Sequence, residues 1–412
     1  MTSPIKLKGY DFFQKTLKSP RFILAPMVDA SEEAFRILSR RYNAHVCFTP
    51  MFHARLFSDP ESGHKYRADQ WTTDEHDRPV IVQFCANDPE ILLRAAKMVE
   101  NECDGVDLNL GCPQHIAKRG RYGSFLQDEW ELIASMVSIL HEQLAVPVTV
   151  KIRVFSTVER TVEYAKMIEA AGAQVLTVHG RLREQKGHNT GLADWDKIKA
   201  VKEAVKIPVI ANGNILYHED IQRCIDHTGV DAVMSAEGSL YNPAIFAPDR
   251  TMPPCTWEMA EEYLTICKNQ GDKAPRPGIM KAHLFKFFHP SLPQHTDLRA
   301  QLGKANTWQM FWDITMALKE RLIADQASVG EVELDGRKNE NGIRQYGHWR
   351  CQPYFRPVLP ANDKHAKKTD KKRPLEEEQD SAVNETDSKK PKEGEQVPAA
   401  VVEDNVAVNN VV

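Results

Sequence analysis

Between residues 22 and 238 the chain alternates short apolar runs with longer segments of mixed polarity. Most of the short runs are continuously apolar and rich in β-branched residues, a pattern typical of parallel strands that are buried on both faces. We predict eight strands, at residues 22–27, 46–50, 80–86, 106–111, 148–154, 175–180, 208–212 and 232–236.

The longer segments repeat their apolar residues at helical spacing. One of them, 90–101, follows Asp88 and Pro89, a capping residue and a residue that favours the first helical turn. Ser31 is likewise expected to cap a helix over 32–41. Further helices are predicted at 157–171 and 218–227.

Eight strands joined mostly by helices within about 220 residues predict an α/β fold, a (β/α)8 TIM barrel. A doubly wound sheet is the alternative, but the glycine-rich turn that follows its first strand is replaced here by Ala25, Pro26 and Met27. The connection 52–78 is polar and is predicted as a hairpin or loop.

Beyond residue 243 the pattern becomes purely helical, with helices predicted at 256–269, 278–288 and 307–323. From about residue 360 large apolar residues give way to blocks of opposite charge, which cannot bury enough apolar surface to order a chain. The predicted organisation is a barrel domain at 1–250, a smaller all-helical domain at 251–330, an irregular connection at 331–359 and a disordered charged tail at 360–412.

Composition excludes a mini-protein, a collagen-like repeat and a wholly disordered chain, because 42% of the 412 residues are hydrophobic. The formal net charge of −4 does not by itself indicate a nucleic-acid-binding protein. The 8 cysteines form no C-x-x-C pair and are expected to be reduced thiols, with no metal site. We predict no metal and a monomer.

No apolar run is long enough to span a membrane, and the N-terminus lacks the apolar stretch of a signal peptide. A cytoplasmic or nuclear location, or both, is therefore expected. The basic run at 367–374 has three open interpretations: a nuclear localisation signal, an RNA contact, or a merely solubilising segment.

Polar residues gather at the ends of the predicted strands, where barrels of this type carry their chemistry. Lys and Asn inside apolar strands are costly to bury unless they are paired or bind a ligand. Glycine-containing turns after the last two strands favour a phosphate, and a central lysine suits the electron-rich edge of a flavin. We therefore predict a phosphorylated planar cofactor at this rim, where the strand-end residues include Gln83, Asn109, Lys151, His179, Asn212 and Glu237.

The strand-end motifs occur in a recognisable order. They are LAPM at 24–27, QF at 83–84, DLNLGCP at 107–113, KIR at 151–153, TVHGR at 177–181, ANGN at 211–214 and NP at 242–243. In this order they resemble the flavin-dependent tRNA-dihydrouridine synthases, and KAHLFK at 281–286 weakly resembles that family's helical RNA-binding domain. The run AEGSLYNPA at 236–244 is most similar to the eukaryotic branch that acts on positions sixteen and seventeen of the tRNA D-loop.

The resemblance implies a reaction, a cofactor and a partner. Members of the family reduce the C5–C6 double bond of a uridine in tRNA with FMN, which NADPH or NADH reduces in turn. A hydride passes from the flavin to C6 and a proton to C5, and Cys112 matches the family's general acid. A thiol with a pKa near about 8.5 is mostly protonated at neutral pH and can donate that proton.

The resemblance also assigns roles at the rim. By similarity, Asn109 binds the uracil, Lys151 contacts the N1/O2 edge of the flavin, and Gln83 binds its ring. Arg181 and Arg183 are expected at the RNA, whereas Lys281 and Lys286 are as well explained by a solvated helix face as by RNA. The expected FMN-binding residues are Pro26, Met27, Val28, Gln83, Lys151, His179, Asn212, Gly213, Asn214, Ala236, Glu237 and Gly238.

One departure from the family pattern concerns Glu237. Many relatives carry Gly-Arg-Gly after the last strand, where this chain has Ala-Glu-Gly at 236–238. An acidic side chain cannot pair with phosphate, so the cofactor's charge must be neutralised elsewhere. Two alternatives remain open: an FMN-dependent dehydrogenase of a small molecule, and a catalytically inactive RNA-binding homologue. The catalytic motif around Cys112 and the added helical domain argue against them.

Overall fold

A computed structural model describes residues 6–248, 252–329, 336 and 343–355. Within these residues nine strands form one parallel sheet. The strands are β1 (Phe22–Leu24), β2 (Val46–Phe48), β3 (Phe52–His53), β4 (Val80–Cys85), β5 (Gly105–Leu110), β6 (Val148–Arg153), β7 (Val175–His179), β8 (Val209–Asn212) and β9 (Ala232–Ser235).

The sheet closes into a barrel. Strand β1 pairs with β2 on one side and with β9 on the other, and β2 pairs directly with β4, while the very short β3 pairs with β4 alone. Eight strands therefore complete the ring, and the predicted TIM barrel is confirmed. Every residue of the eight ring strands is buried, which explains why their sequences are continuously apolar where they do not carry the site.

Helices surround the barrel and continue beyond it. The described α-helices are α1 (Gly9–Asp11), α2 (Glu33–Arg41), α3 (Ala54–Phe57), α4 (Gly63–Gln70), α5 (Pro89–Lys97), α6 (His115–Gly120), α7 (Trp130–Gln143), α8 (Val158–Ala170), α9 (Trp195–Ala204), α10 (His218–Thr228), α11 (Glu237–Tyr241), α12 (Thr256–Asn269), α13 (Pro277–Phe287), α14 (Thr296–Lys304) and α15 (Trp308–Val329). Asp88 caps α5 as expected, since its Oδ1 accepts the Ile91 N–H at 2.9 Å.

The prediction of a hairpin or loop at 52–78 is wrong, because this connection contains β3, α3 and α4. Helix α4 buries only Gly63, so it has no apolar stripe that a periodicity analysis could detect. The segment is stabilised instead by the buried Phe57 side chain and by a hydrogen bond from the Arg67 guanidinium to the Phe57 carbonyl.

The expected cap at Ser31 is also wrong. Helix α2 begins at Glu33 with Glu32 at the capping position, and no side chain caps it. The Ser31 hydroxyl instead accepts the Met27 N–H at 3.0 Å. The serine thus orders the turn that follows β1, at the rim where the strands end.

A buried ion pair fixes the 52–78 connection to the barrel. The Arg36 guanidinium on α2 donates to Asp77 Oδ2 from Nε at 2.9 Å and from Nη2 at 2.6 Å, and it also donates to the carbonyls of Ser31 and Thr72. Arg40 adds a second, partly exposed contact to the same carboxylate at 3.2 Å. One carboxylate therefore holds the end of the connection against α2.

Helices α12–α15 pack on the barrel through a shared apolar core and one buried polar cluster. Glu32, beside α2, accepts hydrogen bonds from Tyr263 Oη at 2.7 Å and from His283 Nε2 at 3.1 Å. Burial opposes ionisation of Glu32, but the charge and hydrogen bonds of His283 and the Tyr263 hydroxyl hold the pKa of the carboxyl below its ordinary value. The carboxylate thus joins barrel and helices.

The helical region after the barrel is confirmed, and α14 adds a helix that the sequence pattern did not predict. The domain boundary predicted between residues 250 and 251 lies within 249–251, which are outside the described residues, so it stays a prediction. The predicted tail at 360–412, with its basic run, also lies outside them. Among the described residues, no helix is long and apolar enough to cross a membrane.

Replacing Asp77 with alanine should lower the free energy of unfolding by about 3 kcal/mol, because the Arg36 charge would stay buried without its carboxylate partner. Urea unfolding followed by circular dichroism measures this change. Asp69→Ala, at an exposed position on α4, serves as the control and should stay within about 0.5 kcal/mol of the parent chain. Equal stabilities of the Asp77 variant and the parent would contradict the assignment.

Candidate active site

The strand register brings polar side chains together at the carboxyl ends of the strands. Asn109 on β5 lies beside Lys151 on β6, and His179 on β7 lies beside Asn212 on β8. Gln83 lies on β4, and all five side chains are buried. The structure therefore gathers on one rim the central residues that the sequence singles out.

A continuous chain of hydrogen bonds connects buried side chains of β4, β5 and β6 at this rim. Thr149 Oγ1 donates to Asp107 Oδ1 at 2.6 Å, and Gln83 Nε2 donates to Asp107 Oδ2 at 2.8 Å. Asn109 Nδ2 then donates to Gln83 Oε1 at 2.8 Å. At the end of the chain Asn109 Oδ1 accepts the backbone N–H of Cys112 at 2.9 Å. Two side chains, those of Gln83 and Asn109, thus connect the buried Asp107 carboxylate to the backbone of the candidate acid.

The direction of each bond in this chain is set by Asp107. An ionised carboxylate can only accept, so Gln83 must present its NH2 to Asp107 and its oxygen to Asn109. Asn109 must then turn its own oxygen toward the N–H groups of Gly111 and Cys112. Burial raises the pKa of Asp107 to about 6, against the hydrogen bonds from Thr149 and Gln83 and the charge of Lys151.

The loop after β5 holds Cys112 on its other side. The Cys112 carbonyl accepts the Ser124 N–H at 3.1 Å and the Ser124 hydroxyl at 3.0 Å. Gly123 has a φ of +64°, and a Cβ there would lie 2.7 Å from the Cys112 oxygen, so only glycine fits without a shift. Cys112 is the partly exposed cysteine of the chain, since the other seven are buried.

Burial raises the pKa of the Cys112 thiol above its ordinary value, although Arg153, Lys151 and Lys186 partly oppose the shift. The sulfur is therefore protonated at neutral pH and is a proton donor rather than a thiolate nucleophile. This state fits a general acid.

Lys151 is one of the buried cationic residues at the rim, together with Arg153 and Arg181. Its side chain is 8% exposed, and its ammonium makes no hydrogen bond to any residue in the described ranges. Burial, followed by the charge of Arg153, lowers the pKa of this lysine to about 8. A buried ammonium without a hydrogen-bond partner is costly, so the position favours an electron-rich ligand.

His179 and the loops after β7 and β8 form a second polar cluster. Arg181 Nη1 donates to His179 Nε2 at 3.0 Å, and Arg181 Nη2 donates to Asn214 Oδ1 at 2.8 Å. Burial, aided by the charges of Arg153, Lys151 and Arg181, lowers the pKa of His179 well below its ordinary value. The imidazole is therefore neutral, and the bond from Arg181 places its proton on Nδ1.

The turns after β8 and β9 each contain a glycine whose backbone lies close to neighbouring atoms. Gly213 has a φ of +114°, and a Cβ there would lie 2.7 Å from the Ala193 Cβ. Asn212 donates from Nδ2 to the Met234 carbonyl at 3.0 Å, which ties β8 to β9. After β9, Ala236 precedes the short helix α11, which contains Glu237 and Gly238, and a Cβ on Gly238 would collide with the Ile215 carbonyl at 2.2 Å.

The residues after β1 differ in exposure. Met27 is buried, Pro26 is half-buried, and Val28 is 37% exposed. Ser31 holds the Met27 backbone in place through the hydrogen bond described above. The structure therefore places Met27 and Pro26 at the rim and leaves Val28 facing solvent.

Of the four basic residues considered for RNA contact, Arg181 is buried and donates a hydrogen bond to Asn214, in the turn after β8. Arg183 lies at the surface, where it donates to Asp128 and to the Ser124 carbonyl at 3.3 Å. Lys281 donates to the Gly303 carbonyl at 2.8 Å, near the end of α14. Lys286 on α13 is half-buried, and burial lowers its pKa against the opposing charges of Glu32, Asp29 and Glu237.

The sequence interpretation missed three residues of the site. Asp107 and Thr149 organise the hydrogen-bond chain, and Gly123 allows close approach to Cys112. A carboxylate between the apolar residues of β5 was the available signal for Asp107, because such a group needs buried partners. No local pattern marks Thr149 or Gly123.

Comparison with known proteins gives the chain its family. The model of the family described as "Dihydrouridine synthase (Dus)" matches residues 23–328. The chain belongs to the dihydrouridine synthase family. That match spans the barrel and the helical region, and it confirms the resemblance drawn from the strand-end motifs.

Individual relatives extend further along the chain. It is 48% identical over 376 residues to the rat protein named tRNA-dihydrouridine(16/17) synthase [NAD(P)(+)]-like, covering 90% of this chain and 82% of that one. It is 48% identical over 373 residues to the Saccharomyces cerevisiae tRNA-dihydrouridine(16/17) synthase [NAD(P)(+)], covering 86% and 87%. The human tRNA-dihydrouridine(20a/20b) synthase [NAD(P)+]-like protein is 40% identical over 248 residues, covering 59% and 76%.

Iodoacetamide should modify Cys112 before any other cysteine of the native chain, because the other seven are buried. The reaction should be slower at pH 7.5 than with free cysteine and should accelerate as the pH is raised, since only the thiolate reacts and burial raises the pKa of Cys112. Peptide mass spectrometry of timed samples measures both rates, with Cys112→Ser as the control. Labelling at Cys112 as fast as free cysteine at pH 7.5 would contradict the protonated state.

The folded chain without added cofactor should bind the Asp107 proton more tightly than the unfolded chain, because the folded-state pKa is about 6 and the unfolded value is about 3.9. The stability contributed by this proton is therefore present below about pH 4 and lost as the pH rises through 6. Asp107→Asn removes the titration. The free energy of unfolding of the parent minus that of the variant should fall by about 2 to 3 kcal/mol between pH 4 and pH 6.5.

Urea unfolding at closely spaced pH values measures this difference. Asp69→Asn, at an exposed position on α4, provides the matched control for exchanging an aspartate for asparagine. A pH-independent difference for the Asp107 variant would show that this carboxyl has an ordinary pKa in the folded chain.

Proposed function

We propose that this chain is an FMN-containing, NAD(P)H-dependent tRNA-dihydrouridine synthase that reduces the C5–C6 double bond of uridines sixteen and seventeen in the tRNA D-loop. The observation that carries the proposal is the partly exposed thiol of Cys112, whose backbone Asn109 holds at a rim of buried polar groups in a chain of this family. The names of the rat and yeast relatives support both the position on tRNA and the nicotinamide reductant.

The rim residues fit the isoalloxazine end of FMN. Lys151 is a buried residue whose ammonium has no hydrogen bond within the described part of the chain, which suits the N1/O2 edge of the ring system. Gln83 lies one side chain away from Lys151, through Asn109, and has a remaining amide N–H for a ring oxygen or nitrogen. Met27, Pro26 and the neutral His179 would complete the surroundings of the cofactor.

The turns after β8 and β9 fit the phosphate end. Gly213 and Gly238 leave the backbone uncovered, with Asn212, Asn214, Ala236 and Glu237 around them. We assign the neutralising charge to Arg181, which lies against Asn214 and His179. This assignment moves Arg181 from the RNA contacts expected from the sequence to the cofactor, and it accounts for an acidic Glu237 where relatives carry arginine.

FMN, when bound, supplies the hydride that the uracil ring accepts. The chain's own residues supply the proton and the orientation. Cys112 holds a proton on Sγ, and its backbone is fixed by Asn109 and Ser124. Asn109 keeps one amide N–H for a uracil oxygen after donating to Gln83, and the amide orientation needed for that contact is imposed by Asp107.

A uridine inside folded tRNA must leave its stack to reach this pocket. Arg183 lies next to the Cys112 loop through the Ser124 carbonyl, so it is placed to contact an RNA phosphate. Lys286 on α13 lies near Glu237, at the border between barrel and helical region. Lys281 already donates a hydrogen bond to a carbonyl of α14. A contact with RNA would therefore use the remaining N–H groups of the same ammonium. Residues 251–330 would form the tRNA-binding domain.

One experiment separates the proposal from its two alternatives. The purified chain is examined for a flavin spectrum and incubated with unmodified tRNA and NADPH, and dihydrouridine is mapped by mass spectrometry. The proposal requires bound FMN and dihydrouridine at positions sixteen and seventeen. Flavin oxidation without dihydrouridine would indicate a small-molecule substrate, and absence of bound flavin would indicate an inactive RNA-binding homologue.

Cys112→Ala should keep FMN binding and flavin reduction by NADPH, because the thiol is not among the groups assigned to the cofactor. Uridine reduction should fall by about 10²- to 10⁴-fold, the range expected when a general acid is removed. Stopped-flow absorbance measures the reductive half-reaction, and tRNA mass spectrometry measures the product. Full activity of the variant would refute the acid assignment, whereas loss of flavin would point to a structural role.

A further inference from the structure

A cluster of metal-ligating side chains lies far along the chain from the rim residues of the candidate active site. His295, which precedes α14, places Nε2 at 2.9 Å from Asp325 Oδ2 on α15. His348, in the segment 343–355, places its own Nε2 at 3.6 Å from the same oxygen. One ligand atom from each of these residues lies within 4.8 Å of the others. Three separate parts of the helical region therefore converge on one point.

His348 is the unusual member of this cluster. Its Nδ1 is buried with no hydrogen-bond partner, and its Nε2 stands beyond hydrogen-bond distance from Asp325. Buried polar groups are nearly always satisfied, so a ring that bonds through neither nitrogen calls for an explanation, and an ion beside Nε2 would give that nitrogen a partner. The backbone of His348 is firmly held, since its carbonyl accepts the Ser291 hydroxyl at 2.7 Å. The ring is thus positioned without a hydrogen bond of its own to any described residue.

We propose that His295, Asp325 and His348 form a binding site for one divalent transition-metal ion, with Zn²⁺ as the best fit. Tetrahedral coordination with bonds of about 2.0–2.1 Å places neighbouring ligand atoms about 3.3–3.4 Å apart. The observed separations of 2.9 and 3.6 Å bracket this value, so small side-chain movements would complete the geometry. Asp325 is 35% exposed, which leaves an entry path and room for a fourth ligand from solvent.

The ligand set selects the kind of ion. Two imidazoles and one carboxylate match zinc and its transition-metal neighbours, whereas Mg²⁺ and Ca²⁺ prefer sites made of oxygen alone. Arg321 is near enough to respond to the charge of Asp325, but it is paired with Asp297 through two contacts of 2.7 Å. Its positive charge is therefore compensated at a neighbouring carboxylate.

The proposed ion would fasten the segment 343–355 to α14 and α15. This segment also bonds α12 at its start, where the Thr256 N–H donates to the Trp349 carbonyl at 2.8 Å. Further along it, Tyr354 stacks on Tyr241 of α11, the helix that follows the proposed phosphate turn. The site is therefore structural, and it secures a segment that stacks on α11 through Tyr354. This proposal departs from the sequence-based prediction of no metal, which rested on the cysteines.

The test uses the full chain, freed of metal by a chelator and then titrated with Zn²⁺ or Mg²⁺ alone. Stoichiometric Zn²⁺ should raise the unfolding midpoint by about 5 °C, while Mg²⁺ should not. Metal analysis after gel filtration should find one more zinc per chain in the parent than in Asp325→Asn or His348→Ala. The difference between variants excludes zinc held by cysteines, which all these chains share.

Two further variants make the readout specific. Asp325→His exchanges one zinc ligand for another and should retain the thermal response, whereas Asp325→Asn should lose it. His227→Ala, at an exposed histidine on α10 outside the cluster, is the matched control and should behave like the parent. Equal zinc content and equal midpoints in the parent and Asp325→Asn would overturn the proposal and leave the cluster as a hydrogen-bonded contact between helices.

Discussion

Closure of eight parallel strands is the constraint on which the rest of this structure depends. It directs every strand's carboxyl end to one rim, so side chains that are distant in sequence become neighbours by register alone. The same closure buries them, and burial gives the polar ones their chemistry. It keeps the Cys112 thiol protonated, the His179 imidazole neutral and the Lys151 ammonium available to a ligand.

If the buried amide groups of the rim bonded only to one another, the oxygen and the NH2 of each amide could exchange places. Asp107 removes that ambiguity, because a carboxylate accepts but does not donate. The Gln83 amide must donate to Asp107, so its oxygen accepts from Asn109. The Asn109 oxygen is then turned toward the backbone N–H of Cys112, which it accepts. A residue that touches neither proposed ligand therefore organises the groups that do.

The sequence predicts the barrel well because its strands are continuous apolar runs, and it predicts the rim because Asn109, Lys151 and His179 interrupt those runs. The sequence pattern does not predict local structure that depends on single contacts. Helix α4 has no apolar stripe, and Ser31 is bonded to Met27 rather than to α2. The contacts of Arg181 with Asn214 and Gly191 join separate loops, which no local pattern reveals.

In the proposed function, Cys112 delivers a proton to a uridine of tRNA, and the hydride would come from FMN bound at the surrounding rim. The most direct measurement is a single turnover: the FMN-loaded chain is reduced anaerobically, freed of NADPH and mixed with unmodified tRNA. The account predicts tRNA-dependent flavin oxidation with one dihydrouridine formed per flavin oxidised. Flavin that stays reduced in the presence of tRNA, or that oxidises without forming dihydrouridine, would contradict it.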